Sequence, residues 1–367
     1  MSPSNLKRLK VLVIIGGKSP EHQISLISGH NIIENLDETK YIIEVVGIDP
    51  FGRWKYYKKE KYVKNVKNPA KVSLTKSNTE VVILERKKGH ILFDVRKGKK
   101  ITNIDVVFPV LHGRNGEDGT IQGYFRMLSI PFVGTDVMAS AIGMDKEVSK
   151  RLWRDAGIPI AKFDVVTHQN KDVVTYDTYA KKLGKTLFIK PANAGSAVGV
   201  HKVNNAQEFS TALQNAFQYD RKILVEEAVE CVEVECSVLG YKDIKASTLG
   251  SLKANQTFYT YDAKYLDQQG ASFTIPAKIP VKLRNEIRKS AIKAFEAIGG
   301  EGLSRVDFFL RQDGTYVINE INTMPGFTSI SMYPKLWEES KLPLKELLDQ
   351  LILISIERYI DQQQSGS

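Results

Sequence analysis

Arg305-Val306-Asp307-Phe308-Phe309-Leu310-Arg311-Gln312-Asp313-Gly314-Thr315-Tyr316-Val317-Ile318-Asn319-Glu320-Ile321-Asn322 reads as two β runs joined at Asp-Gly. Asp-Gly between alternating apolar residues is a strong signal for a two-residue type I′ hairpin loop. With Asp313 and Gly314 as that loop, counting back sets Asp307 opposite Glu320 and Arg305 opposite Asn322. Side chains alternate with period two, so these four share one face. Two carboxylates facing across a strand pair, with Cβ atoms about 5 Å apart, repel and destabilise the hairpin unless a cation lies between them. Asp307, Glu320 and Asn322 offer oxygen ligands suited to Mg²⁺, which one or two carboxylates usually hold together with substrate phosphates. The alternative is a solvated acidic face with Arg305 as its partner.

Upstream, Phe188-Ile189-Lys190-Pro-Ala-Asn-Ala-Gly195-Ser196-Ala-Val-Gly199-Val200 places a lysine at a strand end before a loop of small residues. Such a loop can turn backbone N–H groups towards phosphates. It is not a P-loop, because no Gly-Lys-Ser/Thr opens a helix, and it reads equally as a plain hairpin. Two further loops follow apolar strands: Gly16-Gly17-Lys18-Ser19-Pro20-Glu21-His22, and Leu111-His112-Gly113-Arg114-Asn115-Gly116-Glu117-Asp118-Gly119. Ligands of α/β domains collect at the carboxyl ends of strands, so both are candidates to line a substrate site, and charged turns otherwise.

The N-terminal third alternates signals, with strands at Val11–Ile15, Tyr41–Ile48 and Asp105–Leu111 and helices at Ile24–Leu36 and Ile121–Met127. That order predicts a parallel α/β unit, residues 1–141, with an irregular insertion of hairpin character between Trp54 and Lys100. Asp145 is a good N-cap for a helix over Lys146–Ala156, stopped at Gly157 with Pro159 beyond. A central unit is expected over 142–236. A C-terminal unit over 237–367 would hold a long loop at 253–272, a helix at Leu283–Ile298, the hairpin and a final amphipathic helix.

A chain of 367 residues exceeds one hydrophobic core, in line with these units. Its net charge of +10 is concentrated in lysines of Lys55–Lys76 and Arg86–Lys100, which have few aromatics in stacking positions and read as solvated faces. Nucleic acid is not an expected partner, whereas a mild basic field favours an anionic substrate such as a nucleotide. No apolar run of 18 residues and no signal peptide are found, so the membrane is not expected and the cytoplasm is the expected compartment. Cys231 and Cys236 form neither a disulfide framework nor a zinc set, and both are expected to be reduced packing residues.

Six motifs in order carry a resemblance spanning about residues 9 to 359: the segment from Gly16 to Ser25, Leu111 to Gly119, Met144-Asp145-Lys146, Lys190 to Ser196, Tyr261-Asp-Ala-Lys264-Tyr265, and Asn319 to Tyr333. Together they resemble the D-alanine:D-alanine ligase family. The resemblance implies an ATP-grasp fold: an N-terminal parallel α/β domain plus central and C-terminal α+β nucleotide-binding domains. It implies ATP-dependent synthesis of D-alanyl-D-alanine for peptidoglycan precursors, with two Mg²⁺ (Mn²⁺ substituting), and commonly a homodimer. A ligase making D-alanyl-D-lactate or D-alanyl-D-serine, or another ATP-grasp carboxylate–amine ligase, is the alternative, and Tyr265 argues by resemblance against the lactate form.

Residue by residue, the resemblance assigns Glu21 to the ammonium of the first D-alanine, with His112 beside it. Lys146 and Lys190 would hold ATP phosphates, and Lys264 both ATP and substrate. Glu226, Glu227 and Val229 would border adenine, and Glu233 would bind ribose. Asp307, Glu320 and Asn322 would bind Mg²⁺. Arg305 and the Gly326 amide would stabilise the oxyanion, and Ser331 with the Met332 amide would receive the second D-alanine. Ser196, also an ATP contact, and Tyr265 would join Glu21 in a triad closing the 253–272 loop as a lid. Two departures stand out: Ala197 occupies a position where the family often has serine, and Glu230-Cys231-Val232-Glu233 lacks the Gly-Arg or Gly-Pro that often precedes the ribose-binding glutamate.

Overall fold

The computed structural model describes residues 8–254 and 271–365. Val11, Leu12, Val13, Ile14 and Ile15 are fully buried, which suits an interior strand of a sheet covered on both faces. Their strand, Leu9–Gly16, pairs in parallel with Tyr41–Ile48 on one side and Val106–Val110 on the other. Trp54–Tyr57 adds an antiparallel edge. The helix His22–Asn35 forms the first crossover. The insertion has the expected hairpin character: Val63–Lys64 pairs with Ser73–Leu74, and Val81–Arg86, Gly89–Asp94 and Lys99–Ile104 make a three-stranded meander.

A second sheet is antiparallel throughout, in the order Phe163–Thr167, Lys222–Glu227, Leu187–Pro191, His201–Val203. Tyr179 and Leu183 of one helix and Phe209 and Leu213 of another bury against its Val166, Ile189 and Val225. The third sheet runs Ala271–Thr274, Lys245–Ala254, Val232–Gly240, Gly302–Leu310, Tyr316–Asn322. One face packs on the helix Val281–Ala297 through Val234, Cys236, Val238, Val306 and Phe308. The other carries Leu239 and Leu303 against Tyr333 and Trp337 of the helix Met332–Glu339 and Leu347 and Leu351 of Leu344–Gln364.

The boundary expected between residues 236 and 237 runs through the strand Val232–Gly240, all of which belongs to the third sheet. The helix Lys146–Asp155 also sits with that sheet's core: Trp153 is fully buried and its indole donates to the Ala294 carbonyl at 3.1 Å. Asp145 caps this helix as expected, accepting from the Glu147 and Val148 amides at 3.1 Å each. The stretch expected to loop over 253–272 is tighter at its ends, where Lys253 pairs with Ser272 and Ala254 with Ala271; its interior, 255–270, lies outside the described residues.

The hairpin differs from the two-residue type I′ turn in an instructive way. Arg311 pairs with Thr315 (N–H to carbonyl 2.8 Å), leaving a three-residue loop of Gln312, Asp313 and Gly314. Only Gly314 of these takes a positive φ, +83°. Asp313 instead accepts from the Thr315 amide at 2.9 Å and hydroxyl at 2.7 Å. A longer loop alone would shift the register and put Asn319 opposite Asp307. A bulge at Asn319 takes up the extra residue, so Phe308 faces Ile318 while Asp307 faces Glu320 and Arg305 faces Asn322.

Candidate active site

The third sheet's register sets three acids in a row, Glu235, Asp307 and Glu320, on neighbouring strands. Cations offset their repulsion. Arg305 forks onto Asp307, with Nε to Oδ1 and Nη2 to Oδ2 both at 2.7 Å, and its Nε lies 3.1 Å from Glu235 Oε2. Asn322 donates its amide to Asp307 at 3.2 Å. Lys146, the first residue of its helix, reaches Glu320 at 3.4 Å and donates to the Ala194 carbonyl at 2.8 Å. Among the described residues no three His, Cys, Asp or Glu side chains converge as a metal cage. The oxygen set of two carboxylates and one amide, at a position that already draws cationic side chains, fits Mg²⁺ whose remaining ligands are phosphate and water.

The second sheet brings Lys190 beside this row. Its ammonium lies 2.6 Å from Glu226 Oε2, while Lys150, a fully buried lysine on the helix Lys146–Asp155, lies 3.1 Å from Glu226 Oε1. Burial pushes the Glu226 carboxyl up, but Lys150 and Lys190 outweigh it and hold the group below the usual range. Lys146, Lys190, Glu226, Glu227, Val229, Glu233, Asp307 and Glu320 line one cavity of about 220 Å³. Glu227 within it is tied by the Lys162 amide at 3.1 Å and Arg311 at 3.4 Å. In the loop after Lys190, Ser196 and Ala197 take φ of +52° and +57°, and Val198 donates to the Gly195 carbonyl at 3.1 Å. This is a type I′ turn made without glycine at its centre, a strained backbone of the kind that clusters at functional sites.

Glu21 ends the first-strand loop and accepts from the Ser196 hydroxyl, joining the N-terminal domain to the turn. Gly113 makes room for it: with φ +70°, a Cβ there would stand 2.4 Å from Glu21 Oε2. His112 is buried and bridges to the third sheet, its Nδ1 within 3.0 Å of the Met324 carbonyl and its Nε2 3.2 Å from Ser28 Oγ. The carbonyl accepts only, so Nδ1 carries the proton and Nε2 accepts from Ser28, whose oxygen in turn accepts from the Phe327 amide at 3.1 Å. Burial lowers the His112 pKa, which favours this neutral ring. Glu21, His112, Ser196, Lys146, Arg305, Glu320, Asn322 and Gly326 line one polar cleft. Ser331 precedes the helix Met332–Glu339 without capping it through its side chain; its Oγ instead accepts from the Thr328 amide at 3.0 Å. Lys264 and Tyr265 lie outside the described residues.

Sequence reasoning did not single out Glu117, Glu235 or Lys150. Glu117 lines the same cleft and accepts from the Gly113 amide at 2.8 Å; burial, with the nearby Glu21 charge, pushes its pKa up to about 8. Glu235 follows Glu233 by two in a β run, and that spacing was its available signal. Lys150 follows Lys146 by one helical turn, and no spacing rule separates such a lysine from a solvated one.

Two antiparallel sheets closing on lysines and facing carboxylates, beside a parallel α/β unit, define an ATP-grasp protein. Sequence models described as "D-ala D-ala ligase N-terminus" and "D-ala D-ala ligase C-terminus" match residues 10–135 and 152–353. The chain belongs to the D-alanine–D-alanine ligase family. It is 45% identical over 358 residues to the D-alanine–D-alanine ligase of Oceanobacillus iheyensis, covering 98% of each chain. To the D-alanine–D-alanine ligase A of Salmonella typhimurium it is 44% identical over 354 residues, 96% of this chain and 97% of the relative. Among solved structures, the D-alanine-D-alanine ligase from Coxiella burnetii aligns with a TM-score of 0.80 at 33% identity, over 97% of this chain and 98% of that one. The VanG D-Ala:D-Ser ligase from Enterococcus faecalis aligns at 0.82 and 34% identity, over 95% and 100%.

Proposed function

We propose that this protein uses ATP to join two D-alanine molecules into D-alanyl-D-alanine, a step of peptidoglycan precursor synthesis in the cytoplasm. The observation that carries the reading is one polar cleft to which the loops after the N-terminal strands bring Glu21 and His112, the small-residue turn brings Ser196, the third sheet brings Arg305, Glu320 and Asn322, and the loop after it brings Gly326. That grouping supports reading Glu21 as the partner of an ammonium, Lys146 as a phosphate partner and Arg305 as a cation for the oxyanion.

In this reading Glu21 holds the first D-alanine by its ammonium, and a carboxylate oxygen attacks the γ-phosphorus while the bond to ADP breaks. Lys146 and Lys190 neutralise charge on the phosphoryl oxygens. Asp307, Glu320 and Asn322 would hold two Mg²⁺, or Mn²⁺ in their place, and metal bound there adds Lewis-acid neutralisation of the same oxygens. Ser331 and the Met332 amide at a helix N-terminus receive the second D-alanine carboxylate. Its amine attacks the acyl carbon, the carbon–oxygen bond to phosphate breaks, and Arg305 with the Gly326 amide offsets the oxyanion between those events. Glu226, Glu227, Val229 and Glu233 border the nucleoside. A homodimer fits the exposed Met127 and Met138 on the neighbouring helices Thr120–Met127 and Val137–Met144.

ADP release with D-alanine, L-alanine, D-serine and D-lactate tests the reading. Release and dipeptide formation with D-alanine, and far less with L-alanine or D-lactate as acceptor, are expected. Preference for D-serine as acceptor would instead favour the activity named for the VanG relative, and no ADP release with any of them would refute the ligase reading.

A further inference from the structure

Glu226 is a buried carboxylate with two buried ammonium groups on it, Lys150 at 3.1 Å and Lys190 at 2.6 Å. One acid between two cations leaves a net positive charge in the interior, and an unbalanced buried charge is costly. Lys150 is fully excluded from solvent; its ammonium faces Glu226 at 3.1 Å and the ring of Phe163, 5.9 Å from the ring centre. Lys146, on the same helix, is turned to Glu320 and the Ala194 carbonyl and does not share in this cluster. Lys190 differs from Lys150 in one respect: it also lines the 220 Å³ cavity, whereas Lys150 does not reach it.

We infer that Lys150 is a positioning residue that releases Lys190 for phosphate. This rests on the nucleotide reading above, in which Lys190, already at the cavity wall, is drawn from Glu226 towards a phosphate chain. Were it the sole counter-ion, its departure would strand a buried carboxylate, and the cost would fall on nucleotide binding. With Lys150 in place, Glu226 keeps one cation throughout, and the surplus positive charge of the free cluster becomes a matched charge once phosphate arrives. Glu226 stays ionised and fixed at the cavity wall while Lys190 changes partners.

The test is Lys150→Met, with Lys150→Gln as a second variant should the first not fold, examined by calorimetric titration with ADP and Mg²⁺ and by thermal melts. Expected are an unchanged or higher melting temperature without nucleotide, since Lys190 and Glu226 then form a one-to-one pair, and ADP affinity weaker by tenfold or more with KM for D-alanine unmoved. Lys150→Arg keeps a cation on Glu226 and should hold ADP affinity within about threefold of the wild type. A merely structural lysine would lower nucleotide-free stability, ADP affinity and D-alanine KM performance together, and that pattern overturns the inference. Unchanged ADP affinity in Lys150→Met overturns it too while leaving the nucleotide reading standing. No ADP binding by the wild type would overturn both.

Discussion

Asp307 and Glu320 face each other across two strands, a contact that costs stability unless cations occupy the space. Asp307→Asn and Glu320→Gln should each reduce turnover by about a hundredfold or more, as expected for loss of an electrostatic partner of the transition state. Circular dichroism should remain that of the wild type, because relief of repulsion offsets the lost contacts with Arg305 and Lys146. Near-normal Mg²⁺-dependent turnover in both variants would argue against the metal assignment. Glu117 makes a separate prediction. Its pKa rises on folding from 4.5 to about 8, so between those values the folded state binds more protons than the unfolded state. Its contribution therefore makes stability fall as pH rises through that window, and the whole penalty is present above it. Glu117→Gln should flatten the dependence of melting temperature on pH between 5 and 8, as measured by differential scanning fluorimetry against the wild type. An identical slope in both proteins would contradict the buried, protonated carboxyl.

At the scale of elements, the face shared by Arg305, Asp307, Glu320 and Asn322 was legible because strand side chains alternate with period two. The turn was not, because two local events cancel: a loop one residue longer than Asp-Gly dictates and a bulge at Asn319. A register count sees only their sum. Asp145 was legible as a cap because its chemistry is local, whereas Lys150 acquires its meaning only from Glu226, 76 positions away on another sheet. The turn at Ser196 and Ala197 points to a substitution. Backbone donors are present there, but Ala197 supplies no hydroxyl, and one added hydrogen bond is worth roughly 0.5–1.5 kcal/mol net. Ala197→Ser should therefore lower KM for ATP by roughly two- to tenfold with little change in KM for D-alanine. Steady-state kinetics with each substrate varied in turn would check this, and equal shifts in both constants would count against the turn as a phosphate contact.

Across the whole molecule, the cleft exists only because three sheets meet. His112 and Ser28 of the N-terminal domain are tied to the Met324 carbonyl and the Phe327 amide, more than two hundred residues further on. The sequence order of the motifs announced these parts but not which sheet would hold each, so the expected division at residue 236 cut a strand that pairs on one side with Lys245–Ala254 and on the other with Gly302–Leu310. Met127 and Met138, 84% and 65% exposed on neighbouring helices, are large apolar groups that a second copy would cover. Sedimentation velocity should give a dimer for the wild type and a shift towards monomer for Met127→Glu with Met138→Glu; an unaltered dimer would place the interface elsewhere. The claim that organises the molecule is transfer of a carboxylate oxygen to phosphate before the amide forms. D-alanine carrying ¹⁸O in both carboxyl oxygens tests it, with the released phosphate read by mass spectrometry. Each phosphate should carry one ¹⁸O, with one retained in the internal amide carbonyl. Unlabelled phosphate, with dipeptide formed at the same rate, would contradict it.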